Sequence, residues 1–127
     1  MPTSITHGIR ISVASDYVPE ASKPDEGRFL FAYHITIANE SDQAAQLLTR
    51  HWIIKDAYNN IEEVRGEGVI GQQPFLAPGE SFQYSSGCPL PTEWGTMRGT
   101  YSMVRSDGEP FEVEIPVFAL LPHYFLN

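Results

Sequence analysis

One cysteine, Cys88, is all that this 127-residue sequence contains. Its solitude excludes a disulfide within the chain and a cysteine-based zinc finger. Basic residues are also scarce: 8 Lys and Arg stand against 16 Asp and Glu, for a formal net charge of −8. They are scattered, with no run that could track a phosphate backbone, so nucleic-acid binding is not expected. No apolar stretch approaches a membrane span, so no membrane role is expected. The opening "MPTSITHGIR" has no apolar core of signal-peptide length, which makes a cytoplasmic protein the expectation. No long segment repeats apolar residues at helical spacing with caps at its ends.

Aromatic residues and turn formers are plentiful instead. Seven Phe, six Tyr and two Trp favour strands, and ten Gly with ten Pro supply frequent turns. An apolar fraction of 42% against 19% charged marks a folded chain, and its length fits a single domain over residues 1–127. Period-two alternation is clear. "GIRISVA" puts Ile9, Ile11 and Val13 on one face; "RFLFAYHITIAN" does the same with Phe29, Phe31, Tyr33, Ile35 and Ile37. "MRGTYSMVR" aligns Met97, Tyr101 and Met103, and "PFEVEIPVF" aligns Phe111, Val113, Ile115 and Val117. "SFQYSSG" adds Phe82 and Tyr84. Asn59-Asn60, Pro78-Gly79 and "SDGE" read as the turns between them, while "CPLPTEWG" reads as a proline-broken crossing loop. Pro116 within the last run points to an edge or a bulge.

One run is untidy. In "QLLTRHWIIKD", Leu48, Trp52 and Ile54 share a phase, but Arg50 shares it too, and Leu47 and Ile53 take the other. Either a bulge shifts the register or both faces are covered. It reads as a central strand with Trp52 in the core, since β-branched and aromatic residues weigh against a helix. About seven strands, with no linker and no internal repeat, predict an all-β fold: an immunoglobulin-like or fibronectin type III-like antiparallel sandwich.

Chemistry is harder to find. "VRGEGVIGQQP" contains Gly66-x-Gly68-x-x-Gly71, the spacing of a dinucleotide fingerprint. That fingerprint needs a following helix, which Pro74 and Pro78 forbid, and a surrounding βαβ unit, which is absent. The simpler reading is a glycine-shaped strand end. The alternative is an anion held by backbone N–H groups of Gly66, Gly68 and Gly71 with Arg65 as counter-charge. The four histidines show no ligand spacing, so no metal site is assigned; His34 and His51, on strands that could be neighbours, would need Glu62 or Glu63 to make one. Cys88 has no evident base, and Ser85-Ser86-Gly87 is not a nucleophile elbow. Glu112 and Glu114 read as the solvated face of an edge strand. No catalytic residue and no cofactor is expected. The apolar tail "FALLPHYFLN" either folds onto its own domain or offers a contact surface.

Taken together, "GIRISVASDYVPE", "RFLFAYHITIANES", "QLLTRHWIIKDA", "EEVRGEGVIGQQPFLAPGESFQYSSGCPL", "GTMRGTYSMV" and "FEVEIPVFAL" resemble the ApaG family, from about Ile5 to Leu120. The chain looks like a stand-alone bacterial member. The resemblance implies a fibronectin III-like sandwich with no established catalytic activity. It also implies a genetic link to diadenosine tetraphosphate metabolism and to cobalt and magnesium tolerance. Similar domains occur in eukaryotic F-box proteins and in a protein that interacts with DNA polymerase delta, a distribution that favours protein interaction. The expectation is therefore a non-enzymatic module that binds a protein partner, or a second copy of itself through an edge strand or the C-terminal tail. Phosphate-ligand binding by the 64–74 loop is one alternative, and divalent-metal binding by surface acids with His51 is another.

Overall fold

A computed structural model describes residues 1–126 of the chain. Its elements are β1 (Thr3–Thr6), β2 (Ile9–Tyr17), β3 (Phe29–Asn39), β4 (Ala45–Asp56), β5 (Ile61–Glu67), β6 (Phe75–Leu76), β7 (Ser81–Leu90), β8 (Gly95–Arg105) and β9 (Pro110–Leu120). Three short 3-10 turns complete the described residues, which hold no α-helix. Two antiparallel sheets result. One has the order β1-β2-β3-β7; the other has β5-β4-β8-β9, with β6 added to β4 on the β5 side. This is the expected all-β sandwich, and two short strands, β1 and β6, extend the seven anticipated.

Alternation decides what lies between the sheets. Ile9, Ile11, Val13, Phe31, Ile35 and Ile37 from one sheet are buried against Leu47, Trp52, Met97, Tyr101, Met103 and Val113 from the other. The Trp52 ring lies 5.3 Å from Tyr33, 6.0 Å from Phe118 and 6.5 Å from Tyr101, each edge-on. Such pairs add about 0.5–1.5 kcal/mol each beyond the area they bury.

Two bulges explain the irregular patterns. The β4–β8 register shifts between Leu47 and Thr49, so Leu47 and Trp52 are both buried although they are out of phase in the sequence. In β9, Gly99 faces Ile115 while Met97 faces Phe118, so the strand gains a residue at Pro116-Val117. Proline cannot donate to the ladder, and an inserted residue absorbs that loss. The consequence corrects the simple alternation: Val117 is 60% exposed, and Phe118 takes its place in the core at 2%.

The turns follow their residue chemistry. His7 and Gly8, at φ of 51° and 81°, join β1 to β2, a hairpin the sequence pattern did not reveal. Ser106–Glu109 forms the expected hairpin turn. At Asn59-Asn60, Asp56 fixes the connection by accepting hydrogen bonds from the Tyr58 and Asn60 N–H groups at 2.8 and 3.0 Å. Cys88-Pro89-Leu90 belongs to β7 rather than to the loop, because Pro89 sits on an edge strand where a missing N–H costs little.

The tail extends β9 through the buried Leu120 and then turns back. The Tyr124 hydroxyl donates to Glu93 Oε2 at 2.6 Å, and its ring meets Tyr17 edge-on. Tyr124 and Phe125 remain 46% and 43% exposed. Asn127, the last residue of the apolar tail, lies outside the described residues.

Candidate functional site

The two sides of the sandwich are built differently. On one side β1 and β2 run beside β9, and side chains occupy the free backbone edge of β9. Ser4 Oγ donates to the Glu114 carbonyl at 2.7 Å, the Glu114 N–H donates to Thr6 Oγ1 at 3.1 Å, and Ser15 Oγ donates to the Ala119 carbonyl at 3.0 Å. On the opposite side the edges are β5 and β7, each paired with one neighbour only. Among the described residues no such staple joins these two edges, and the sheets part around a cleft.

Arg50 stands at the centre of that cleft. Two residues before the buried Trp52 and past the bulge, it shares that residue's phase and faces inward, opposite Gly66 of β5. Its guanidinium lies flat on Gly66: a Cβ there would come within 2.8 Å of Cζ and Nη2 and 2.9 Å of Nη1. Nη1 donates to the carbonyls of Glu67 and Gly68, both at 2.9 Å. Among the described residues, Nε and Nη2 have no partner and no carboxylate pairs with the group. The residue is half-buried, and its unpartnered N–H groups open to solvent in the cleft, where a ligand could reach them.

The walls around it are aromatic. Two adjoining hollows of about 330 and 230 Å³ share Tyr33, Arg50, Trp52 and Ser86 as lining. A third, of about 310 Å³, continues past Glu62 to Ile61 and Pro91. Together they form a groove along the open side. Burial raises the phenols of Tyr33, Tyr84 and Tyr101, while the charge of Arg50 pulls each of them back down. The Tyr84 and Tyr101 hydroxyls bond to one another, which satisfies both inside the core. Cys88 lines the same groove; burial pushes its thiol up to about 11, and Glu62 adds to the shift. A thiol at that value is protonated at neutral pH and is a poor nucleophile.

The glycine motif takes a definite shape here. Gly66 makes room for Arg50. Gly68 has φ +62°, and a Cβ there would drive into the Gln72 carbonyl. Ile70 and Gly71, at φ of 43° and 77°, are the central residues of a tight turn closed by Val69 N–H to Gln72 O at 2.8 Å and Gln72 N–H to Val69 O at 2.9 Å. The Gly68 N–H donates to Leu48 O at 2.8 Å. Gly71 lines the cleft beside Arg50. Arg65 does not join them: it lies in the other phase of β5, with its side chain 74% exposed and 3.6 Å from Glu63.

The histidines separate as well. β3 and β4 belong to different sheets, and His34 and His51 face outward on opposite sides of the sandwich, which corrects their expected proximity. His51 Nε2 meets Glu63 Oε1 at 2.8 Å; that bond, before all else, lowers the Glu63 carboxyl. Among the described residues no group of three or more His, Cys, Asp or Glu could hold a metal ion. His34 lies between Ser85 Oγ at 2.6 Å and Asp16 Oδ2 at 3.3 Å. These are the residue types of a hydrolase triad. They lie on an exposed sheet face, however, with the Asp16 side chain 72% exposed, and the groove does not reach them. Triad chemistry depends on a sheltered site and donors for the oxyanion as much as on the three side chains.

Fold and site define a two-sheet antiparallel sandwich, stapled along one side and open along the other around an inward arginine. The chain belongs to the ApaG family: residues 19–105 match the ApaG domain. It is 51% identical to Protein ApaG of Rhodospirillum centenum over 124 residues, which covers 97% of this chain and 95% of that one. It is 54% identical to Protein ApaG of a Methylobacterium species over 119 residues, with 93% and 92% covered. The crystal structure described as a putative ApaA protein from Bordetella pertussis superposes with a TM-score of 0.88 at 51% identity, covering 96% of each chain. No helix of the described residues is long and apolar enough to cross a membrane.

The glycine spacing points to Arg65, whereas the arginine that lines the cleft is Arg50. The signal was present: a charged residue in the apolar phase of a core strand. Departures from pattern of this kind mark functional or strained positions.

Proposed function

We propose that this chain is a non-enzymatic recognition module of the cytoplasm, which takes an extended segment of a partner protein along the free edge of β5. The observation that carries the reading is the unpaired β5 edge, Ile61–Glu67, running beside an open groove. An unpaired edge is a template for an added strand, whose main-chain bonds give affinity while neighbouring pockets give selectivity. The edge carries Glu62, Glu63 and Glu67. With Arg65 the edge still has an acidic excess, so two copies pairing there would bring net negative charges together, and the edge favours a different protein over a second copy.

Site-specific photocrosslinking in cells tests this. A photoreactive side chain at position 65 on β5 is compared with one at position 112 on β9. The expected result is a discrete heterologous adduct from position 65 and none from position 112. Adducts confined to position 112, or a product of twice the chain mass from position 65, would overturn the reading.

A further inference from the structure

We infer that Arg50 is the seat for the C-terminal carboxylate of the segment that the open groove accepts; the inference rests on the edge-recognition reading above. Three observations carry it. First, Nη1 is already spent on the Glu67 and Gly68 carbonyls, which fixes the guanidinium plane against Gly66. The free atoms, Nε and Nη2, form the fork that binds a carboxylate through two parallel hydrogen bonds. Second, no carboxylate of the described residues occupies that fork, although acids outnumber bases two to one in the chain. The charge is held by the fold and left unneutralised.

Third, the groove closes one hollow past Arg50. It runs from Ile61 and Pro91, past Glu62 and Cys88, to Arg50, and beyond Arg50 it meets Val69, Ile70 and Gly71. Val69 is only 1% exposed, so this turn is anchored in the core and closes the groove. A chain lying along β5 therefore ends in the hollow that Arg50 shares with Tyr84 and Val69, its last side chain filling that space and its terminal carboxylate presented to the fork. The Glu67 side chain lies in the outward phase of β5 and contributes its carbonyl, not its carboxylate, to the seat. Glu62 is the inward acid of the groove, further along toward Ile54. It disfavours an acidic side chain upstream, which separates recognition of a terminus from general attraction to acidic peptides.

The test is an NMR titration of the whole chain, observing the Nε–H resonance of Arg50. The probes are N-acetyl-Ala-Phe with a free terminus, its C-terminal amide, N-acetyl-Ala-Asp-Phe amide, and inorganic phosphate. The expected result is a saturable shift with the free acid at millimolar concentration and at least tenfold weaker response to the amide. Arg50→Lys, which keeps the charge but loses the fork, is expected to weaken the acid at least tenfold while retaining a native spectrum. No shift with the acid, an equal shift with acid and amide, preference for the internal Asp, or response to phosphate alone would each overturn the inference. The wild-type resonance decides the matter even where the variant fails to fold. If crosslinking at position 65 persists while the titration fails, the edge reading stands and the carboxylate seat falls.

Discussion

Alanine substitution of the three motif glycines separates the roles assigned to them. At Gly66 the backbone is extended, where alanine gains about 0.5–1 kcal/mol over glycine. The new methyl displaces the Arg50 guanidinium, a flexible chain end, and breaks its two carbonyl bonds. Because that group borders an open cleft, water replaces much of what is lost, and the net change stays within about 1 kcal/mol of zero. Gly71 has φ +77° and open space around it, so alanine meets only the left-handed penalty. That penalty, about 1–2 kcal/mol, is partly offset by a stiffer unfolded chain, leaving about 1 kcal/mol. Gly68 combines φ +62° with the approach of the Gln72 carbonyl. Strain and overpacking together give about 2–4 kcal/mol and open the Val69–Gln72 turn. Urea denaturation with matched slopes should rank the losses Gly68→Ala, then Gly71→Ala, then Gly66→Ala. Only Gly66→Ala should move the Arg50 Nε–H resonance strongly while stability is kept. A Gly66→Ala variant less stable than Gly68→Ala would refute the three separate roles.

Three further outcomes follow from the same geometry. Burial pushes the Asp56 carboxyl up, but bonds from Asn60 and Tyr58 outweigh it and hold the group below its ordinary value; its contribution is present at neutral pH and lost as pH falls below about 4. Thermal unfolding of Asp56→Asn across pH 2–7 should show a flatter acid limb than wild type, and identical acid limbs would refute the cap. Tyr101→Phe should cost about 1–3 kcal/mol by stranding the Tyr84 hydroxyl, while the double replacement with phenylalanine costs less than the sum of the singles; strict additivity in urea denaturation would deny the pair. Cys88 should react with a thiol reagent at neutral pH only after unfolding, so rapid labelling of the native chain would contradict its buried, raised thiol.

Much of the fold was legible because its strands are half-buried and alternate. Ile9–Val13 and Phe31–Ile37 announce their inner faces directly. Legibility failed where a bulge resets the phase, since a residue inserted at Leu48 or at Pro116-Val117 is paired only in three dimensions. Simple alternation places Val117 inward for that reason, and the bulge turns it out. The hairpin at His7-Gly8 escaped because β1 is four residues long and only half covered. At the site, the glycine spacing drew notice to Arg65, its neighbour in sequence. The cross-strand partner of Gly66 is Arg50, sixteen residues earlier. Sequence offered that arginine only as an irregularity in a core strand.

The central claim is that the sandwich is sealed along β9 and open along β5. Amide hydrogen exchange of the isolated chain, read residue by residue, tests it directly. The expected result is rapid exchange at the alternate β5 amides that do not pair with β4, beside strong protection of the Glu114 amide held by Thr6. Uniform protection along β5, or a Glu114 amide exchanging as fast as those of β5, would contradict it.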